Sequence, residues 1–384
     1  MSTTQQLLIV HRGGTQVLGA IRGTEACVLA LLRNIDRTKF NPLVLCNNET
    51  HLAAFRDAGT EGLLFDNPTV MLNNGNLRLP LFRYLRALHT LNNIVTARKI
   101  SAIYCSGGAP CQVAVPIAKL RKIPTICHFH HPASRRYHYF WLTKFTDQVI
   151  FPSRYTREQS LAAVDLDGIV IPNGINCRSE YIPAPARDST WRSEHAIGRS
   201  DVVVGQVGAF SPNKRHDVLI SAFRIARRRM ANLKLVLVGD GPERKRMEQL
   251  TVDHGLQENV VFAGYVPRVA ELFQHTIDIN VLASDEEGLG LVLLEGGACG
   301  VPSIGSDCSG IREAIRDGET GYLFRPGDVD ELAQRIIELA MDPERRDSMG
   351  RAARHYVETN FSEERYAANV SAQIEALIAS SRAV

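Results

Sequence analysis

The sequence predicts an α/β protein built from two doubly wound parallel sheets, and three observations predict it. Short β-branched runs alternate with longer amphipathic stretches along the chain, the pattern that right-handed crossovers wind into parallel sheets. The 384 residues exceed one comfortable core and suit two domains of roughly 190 residues each. Between them the alternation stops once, in the polar, proline-containing stretch NCRSEYIPAPARDSTWRSEHAIGRS at 176–200, which has the composition of a linker.

In order, the first half offers strands at Leu7–Val10, Pro42–Leu45, Ala102–Tyr104, Thr125–Cys127, Gln148–Phe151 and Gly168–Ile171. Each is a short apolar run bounded by turn-forming or polar residues. The second half offers Val202–Val207, Lys234–Val238, Val260–Phe262, Ile277–Val281 and Pro302–Ile304. Helical periodicity lies between them, as at Glu25–Asn34, Asp217–Met230 and Arg244–His254. The expected organisation is a first domain at 1–175, a linker at 176–200 and a second domain at 201–360. A terminal helix at 361–384 is expected to pack back on the first domain. Two such domains are expected to face a cleft, with functional residues on the loops that follow strands.

Composition narrows the function. Hydrophobic residues at 45% and charged residues at 22% exclude a disordered or fibrous chain. The net charge of +3 does not mark a nucleic-acid binder. That total is uneven, because residues 1–180 hold 20 Lys+Arg against 11 Asp+Glu and the remainder holds 24 against 30. The start MSTTQQLLIV lacks a basic segment followed by a long apolar run, so no secretory signal is expected. No apolar run of about 18 residues predicts a spanning helix. Eight cysteines without a CxxC pair read as reduced thiols in a cytoplasmic chain without structural zinc, and the sequon at Asn48 then means nothing. The first loop, from His11 to Gly23, fits neither a phosphate-binding loop nor a dinucleotide fingerprint.

One segment carries most weight. After the strand ending near Val281 comes SDEEGLGLVLLEGGACGVPSI, with Glu287, then Gly288-Leu289-Gly290, then an apolar helix-like run holding Glu295. Glycines before a helix let the backbone approach a ligand, and free amides with the helix dipole attract anions. From Gly290 to Glu295 a helix advances about 7.5 Å, a suitable separation between a diphosphate and a ribose. The competing reading of Glu295 is a carboxylate paired inside a core helix, and of Glu287 a surface acid.

The spacing of Glu287 and Glu295, with GLG between and ACGVP after, resembles the retaining nucleotide-sugar glycosyltransferases of family 4, whose fold is GT-B, two Rossmann-like domains. IPNGI at Ile171–Ile175, VGDGPERKRMEQL at Val238–Leu250, VVFAGYV at Val260–Val266 and GETGYLF at Gly318–Phe324 are similar to further signatures of that family, in its order. Gly23-Thr24-Glu25 resembles its glycine-rich first loop. The resemblance implies that Glu287 lies by the donor sugar and that the Gly288, Leu289 and Gly290 amides hold its hydroxyls and phosphate. It further implies that Glu295 binds the ribose, that the Tyr265–Val266 backbone binds the base and that Lys214 binds phosphate. Breaking a sugar–phosphate bond leaves negative charge on the diphosphate, which a fixed cation stabilises; the alternative is that Lys214 is an ordinary turn lysine. Gly23 would belong to a loop packing on the donor, or to a plain surface turn. The family commonly carries an arginine where this chain has Ala209, so one phosphate cation is missing, and Arg215 or Arg22 are the candidates to compensate.

In CHFHHP at Cys127–Pro132, three histidines lie close without a neighbouring carboxylate, which disfavours a metal. The family resemblance favours His130 beside the reacting sugar or the acceptor, with His128 and His131 open to a structural role. The whole reads as a metal-independent, cofactor-independent transfer of sugar from a nucleotide diphosphate sugar to a saccharide or lipid-linked hydroxyl, in bacterial-type envelope glycan or glycolipid synthesis. The catalytic residues would be Glu287, Lys214 and His130, and the donor would be held by Gly23, Lys214, Arg215, Tyr265, Val266, Glu287, Gly288, Leu289, Gly290 and Glu295. A sugar-nucleotide epimerase of the same fold, or a catalytically weak nucleotide-sugar-binding protein, are the rivals. In the family the N-terminal domain receives the acceptor. The basic stretch NLRLPLFRYLRALHTLN at Asn76–Asn92 then reads either as an anionic-membrane contact on the inner face or as a helix packed on the core.

Overall fold

A computed structural model of the chain describes residues 4–13, 23–69, 71–73, 76–78, 80–166, 168–184 and 190–382. It divides into two compact units, Met1–Gly174 with Glu363–Val384, and Ile175–Ser362.

The first unit holds strands β1 Gln5–His11, β2 Phe40–Cys46, β3 Glu61–Leu64, the short pair β4 Met71–Asn73 and β5 Asn76–Arg78, then β6 Ala102–Ser106, β7 Thr125–His128, β8 Gln148–Phe151 and β9 Gly168–Val170. Its main sheet is parallel, in the order β3-β2-β1-β6-β7-β8-β9. Side chains alternate across it as a strand requires. Leu7, Ile9, Val44 and Tyr104 enter one core, and Leu8, Val10, Leu45 and Cys105 enter the other. Both faces are thus buried, which is why these strands read as continuous apolar runs. The terminal helix Glu363–Arg382 lies on the helix Gly23–Asn34 and sends Tyr366, Val370, Ile374 and Ile378 into the first of those cores. Glu363 accepts from Arg33 and Asn34 at 3.2 Å each.

The second unit holds β10 Val202–Val207, β11 Leu233–Val238, β12 Val260–Gly264, β13 Ile279–Leu282, β14 Ser303–Ser306 and β15 Gly321–Phe324, a parallel sheet in the order β12-β11-β10-β13-β14-β15. Leu233, Leu235 and Leu237 face one side, and Val236 and Val238 the other. Both sheets are therefore doubly wound, as the alternating pattern predicts.

Two segments differ from the sequence reading. Residues 176–200, expected as a linker, group with the second unit, and two arginines explain it. Arg354 donates to the carbonyls of Cys177 at 2.7 Å and Tyr181 at 2.6 Å. Arg192, on the short helix Thr190–Glu194, is buried and donates to the carbonyls of Thr276, Gly198 and Asp201 at 2.8–3.1 Å. The stretch Asn76–Asn92, read as one amphipathic run, is divided. Asn76–Arg78 is a strand, and the helix starts at Leu81 behind Pro80 and runs to Ala97, because proline disfavours helical backbone at the residue before it. Seven of the cysteines are buried, Cys308 is half-buried, and all are free thiols. Among the described residues no helix is long and apolar enough to cross a membrane.

Candidate active site

A doubly wound sheet binds ligands where the winding reverses, beyond the carboxyl ends of the strands. In the second unit that point lies between β10 and β13. The loop after β10 carries Lys214 and Arg215, and the loop after β13 carries Glu287 and the glycines that follow it. The amide of Asp285 donates to the Asn213 carbonyl at 2.8 Å, joining the two loops. Lys214 Nζ donates to Glu287 Oε1, and Ser284 Oγ donates to the same oxygen at 2.6 Å. Gln206 Nε2 holds the Lys214 carbonyl at 2.9 Å, and Phe210 stacks on His216 with ring centres 4.2 Å apart, closing the lysine loop. Burial pushes the His216 imidazole down to about 4, with the Lys214 charge acting in the same direction, so it is neutral at pH 7.

From below, the loop after β14 supports Glu287. The Glu287 amide donates to Ser309 Oγ at 2.9 Å, and the Gly310 amide donates to the Glu287 carbonyl at 3.1 Å. Gly310 has no substitute here, because an added Cβ would lie 2.6 Å from the Gly288 carbonyl carbon and 2.8 Å from Leu289 Cα. Gly290 sits at φ +78°, the left-handed conformation glycine adopts without strain, and caps the helix Leu291–Ala298. The first amides of that helix have no intrahelical acceptor, so Leu291 and Val292 present donors at its start.

Glu295 lies on the same helix. Burial and the nearby Glu180 charge push its carboxyl up to about 7 against a hydrogen bond from Tyr181. Both partners come from 176–184, the supposed linker, and neither they nor Ser284 and Ser309 are singled out by the sequence. Tyr265 and Val266 follow β12, two strands from β10; the Tyr265 side chain is exposed, while Val266 packs on the Val203–Val236 core. Arg215 is already paired with Asp217 at 3.2 Å and Asp285 at 3.0 Å, so it is no free cation for the place of Ala209. Arg22 lies outside the described residues.

The first unit has its own reversal point, between β1 and β6. A cavity of about 430 Å³ opens there, lined by Arg12, Ser106, Gly108, His130 and Trp141 among others. His130 follows β7. Burial drives it well below the usual imidazole value, so it is neutral, and neither ring nitrogen has a protein partner. His128 is structural. Its Nδ1 meets the hydroxyls of Tyr104 at 2.6 Å and Tyr366 at 3.2 Å, and burial pushes it down to about 3. His131 is exposed. Gly23 opens the helix Gly23–Asn34; the preceding 14–22, most of the expected glycine-rich loop, lie outside the described residues.

A different group offers metal donors. The donor atoms of buried His11, Cys46 and His51 lie within 4.8 Å of one another. Glu25 already engages His11 at 3.2 Å and His51 at 3.7 Å, and burial raises the Cys46 thiol. These contacts tie the ends of β1 and β2 to the helix Gly23–Asn34.

Comparison with known proteins identifies the family and the fold. Residues 188–356 match the family described as glycosyl transferases group 1, and residues 21–179 match glycosyltransferase family 4. A GDP-mannose-dependent alpha-(1-6)-phosphatidylinositol monomannoside mannosyltransferase of Mycolicibacterium smegmatis is 30% identical over 71% of this chain and 75% of its own. The N-acetyl-alpha-D-glucosaminyl L-malate synthase of Bacillus anthracis is 39% identical over 47% of each. The crystal structure of Anabaena HepE with UDP and glucose superposes with a TM-score of 0.81 at 20% identity, over 97% of this chain and 100% of that one.

Proposed function

This chain belongs to glycosyltransferase family 4 and is a glycosyltransferase of GT-B type, and from that premise we propose that it moves a sugar from a nucleotide diphosphate sugar to a hydroxyl acceptor with retention of anomeric configuration. The observation that carries the reading is the second unit's reversal point, where one cation, one carboxylate and a row of helix-start amides converge. Two of the named relatives point the same way, one being GDP-mannose-dependent and one crystallised with UDP and glucose.

In this reading the diphosphate lies at the start of the helix Leu291–Ala298, where the amides and Lys214 take up the charge that develops as the sugar–phosphate bond breaks. Glu287 holds the sugar and fixes Lys214, Glu295 takes the ribose hydroxyls, and the Tyr265–Val266 backbone takes the base. The remaining carboxylates of the loop after β13 are Asp285, paired with Arg215, and Glu286. We therefore favour departure of the diphosphate and attack from the same face, the leaving phosphate accepting the acceptor's proton. Neutral His130 orients the acceptor by hydrogen bond. The scheme requires no metal ion.

The first unit would receive the acceptor at an anionic membrane surface. The helix Leu81–Ala97 buries Ala87, Leu91 and Val95 but leaves Leu81, Phe82 and Leu85 exposed, Phe82 by 88%. Arg83 pairs with Asp66, and Arg98 just beyond the helix pairs with Glu61, while Arg86 adds a further cation on the same helix as the apolar turn.

The test is product analysis. Nucleoside diphosphate release should depend on acceptor, and the product's anomeric proton coupling should match the donor's. Inversion, or release of an altered sugar without acceptor, would contradict the proposal.

A further inference from the structure

The first unit's cavity holds more unsatisfied polarity than a neutral sugar needs. Arg12, which follows β1, is half-buried; burial works against its charge, yet among the described residues it meets no carboxylate and makes no hydrogen bond. The undescribed neighbouring segment 14–22 contains no acidic residue to neutralise it. Ser106, the last residue of β6, is 5% exposed, and its Oγ has no partner. Next come Gly108 and Ala109, whose amides have no acceptor among the described residues, just ahead of the helix Cys111–Arg121. All four line the same cavity. A buried hydroxyl without a partner and a guanidinium without a counter-charge each cost free energy in the empty protein. A helix start adds partial positive charge in the same place.

We propose that this cavity is an oxyanion site, in which Arg12, Ser106 Oγ and the amides of Gly108 and Ala109 receive a phosphate or carboxylate group carried by the acceptor. The proposal rests on the reading of the first unit as the acceptor half and deepens it to a chemical class. A single planar guanidinium with adjacent N–H and O–H donors matches the geometry of one oxyanion. Neutral His130 adds no second cation, so the site suits one negative group. Trp141 packs over Gly108 and gives the uncharged part of the acceptor an apolar wall.

Trp141 also supplies the assay. The chain has two tryptophans, and Trp191 is in the second unit, so the full-length Trp191→Phe protein reports on the cavity alone. Its fluorescence would be titrated with inorganic phosphate, glycerol 1-phosphate, acetate and glycerol, each at constant ionic strength set with chloride. The expected result is a saturable change with phosphate-bearing or carboxylate probes and none with glycerol. Loss of a charge-assisted pair should weaken that binding about tenfold or more in Arg12→Gln, with partial recovery in Arg12→Lys, and Ser106→Ala should weaken it about threefold. Unchanged nucleotide-sugar binding by Arg12→Gln would show that the variant is folded. Equal response to glycerol, or full anion binding by Arg12→Gln, overturns the site. Should transfer proceed while no anion binds, the oxyanion site fails and the acceptor reading survives. Anion binding through Arg12 with an acceptor KM unchanged in Arg12→Gln overturns the assignment to the acceptor.

Discussion

If Glu295 receives ribose hydroxyls, donor binding is linked to its ionisation. Its carboxyl is pushed up to about 7, first by burial and then by Glu180, despite the Tyr181 hydrogen bond. In the empty protein about half of the molecules therefore carry it protonated at pH 7. Hydroxyl donors favour the ionised form, so binding should release about half a proton at pH 7, and affinity should fall about tenfold, some 1.4 kcal/mol, from pH 8 to pH 6. The sign for stability is opposite to that of an ordinary paired carboxylate. A folded value above the unfolded one means that stability is full below about 4.5 and is lost as pH rises toward 7 and beyond. The loss is at most about 3 kcal/mol, since the group is not fully enclosed. Glu295→Gln should accordingly melt higher than the wild type at pH 8 while binding donor more weakly and without pH dependence. The assay is isothermal titration in two buffers of different ionisation enthalpy. A nucleotide sugar is the right ligand, because its diphosphate has no proton to lose in this range. Donor affinity that is flat with pH, without proton release, and equal in Glu295→Gln would refute the ribose assignment.

Other consequences are independent of that carboxylate. Below about 6.5 the unfolded chain protonates histidines that the native protein keeps neutral, so stability should fall as pH drops. His128→Gln should flatten urea-unfolding free energy between pH 6 and 5 by about 1.4 kcal/mol per pH unit; an unchanged slope would remove His128 from the buried neutral set. Gly310→Ala changes no charge, yet it drives Cβ into the Gly288 backbone and should weaken nucleotide-sugar binding about tenfold or more; wild-type affinity in that variant would mean the loop after β14 does not set the Glu287 geometry. Sedimentation with vesicles should show binding to phosphatidylglycerol and not to phosphatidylcholine, weakened by salt and by Phe82→Ser; absence of binding at low salt would count against the membrane contact.

The fold was legible because both sheets bury both faces, so runs such as LLIV and KLVLV stand out against the helices between them. What escaped is less apolar or shorter. Edge strand β3, Glu61–Leu64, pairs on one side only with β2 and leaves Leu64 exposed, and β15 was visible only as part of a signature. Ile277 still closes the preceding helix by donating to the Leu272 carbonyl, so β13 starts two residues after the apolar run does. In the site, Glu287 and Glu295 could be singled out because seven residues of glycine and aliphatic sequence separate them. Ser284, three residues before Glu287, reads as an ordinary turn serine, while Ser309, which accepts from the Glu287 amide, and Tyr181 reach the site from distant segments whose composition carries no such signal. Arg12 was hidden for a related reason. Its significance is that no described residue pairs with it, which a sequence does not record.

In the proposed reaction Lys214, at the second unit's reversal point, activates the nucleotide diphosphate sugar. Acceptor-dependent release of nucleoside diphosphate, measured for wild type and Lys214→Ala with the same donor and acceptor, tests it most directly. Removal of a preorganised donor to the leaving group predicts a fall in kcat of about 10²–10³-fold, with donor binding still measurable. A Lys214→Ala protein that turns over at the wild-type rate would contradict it.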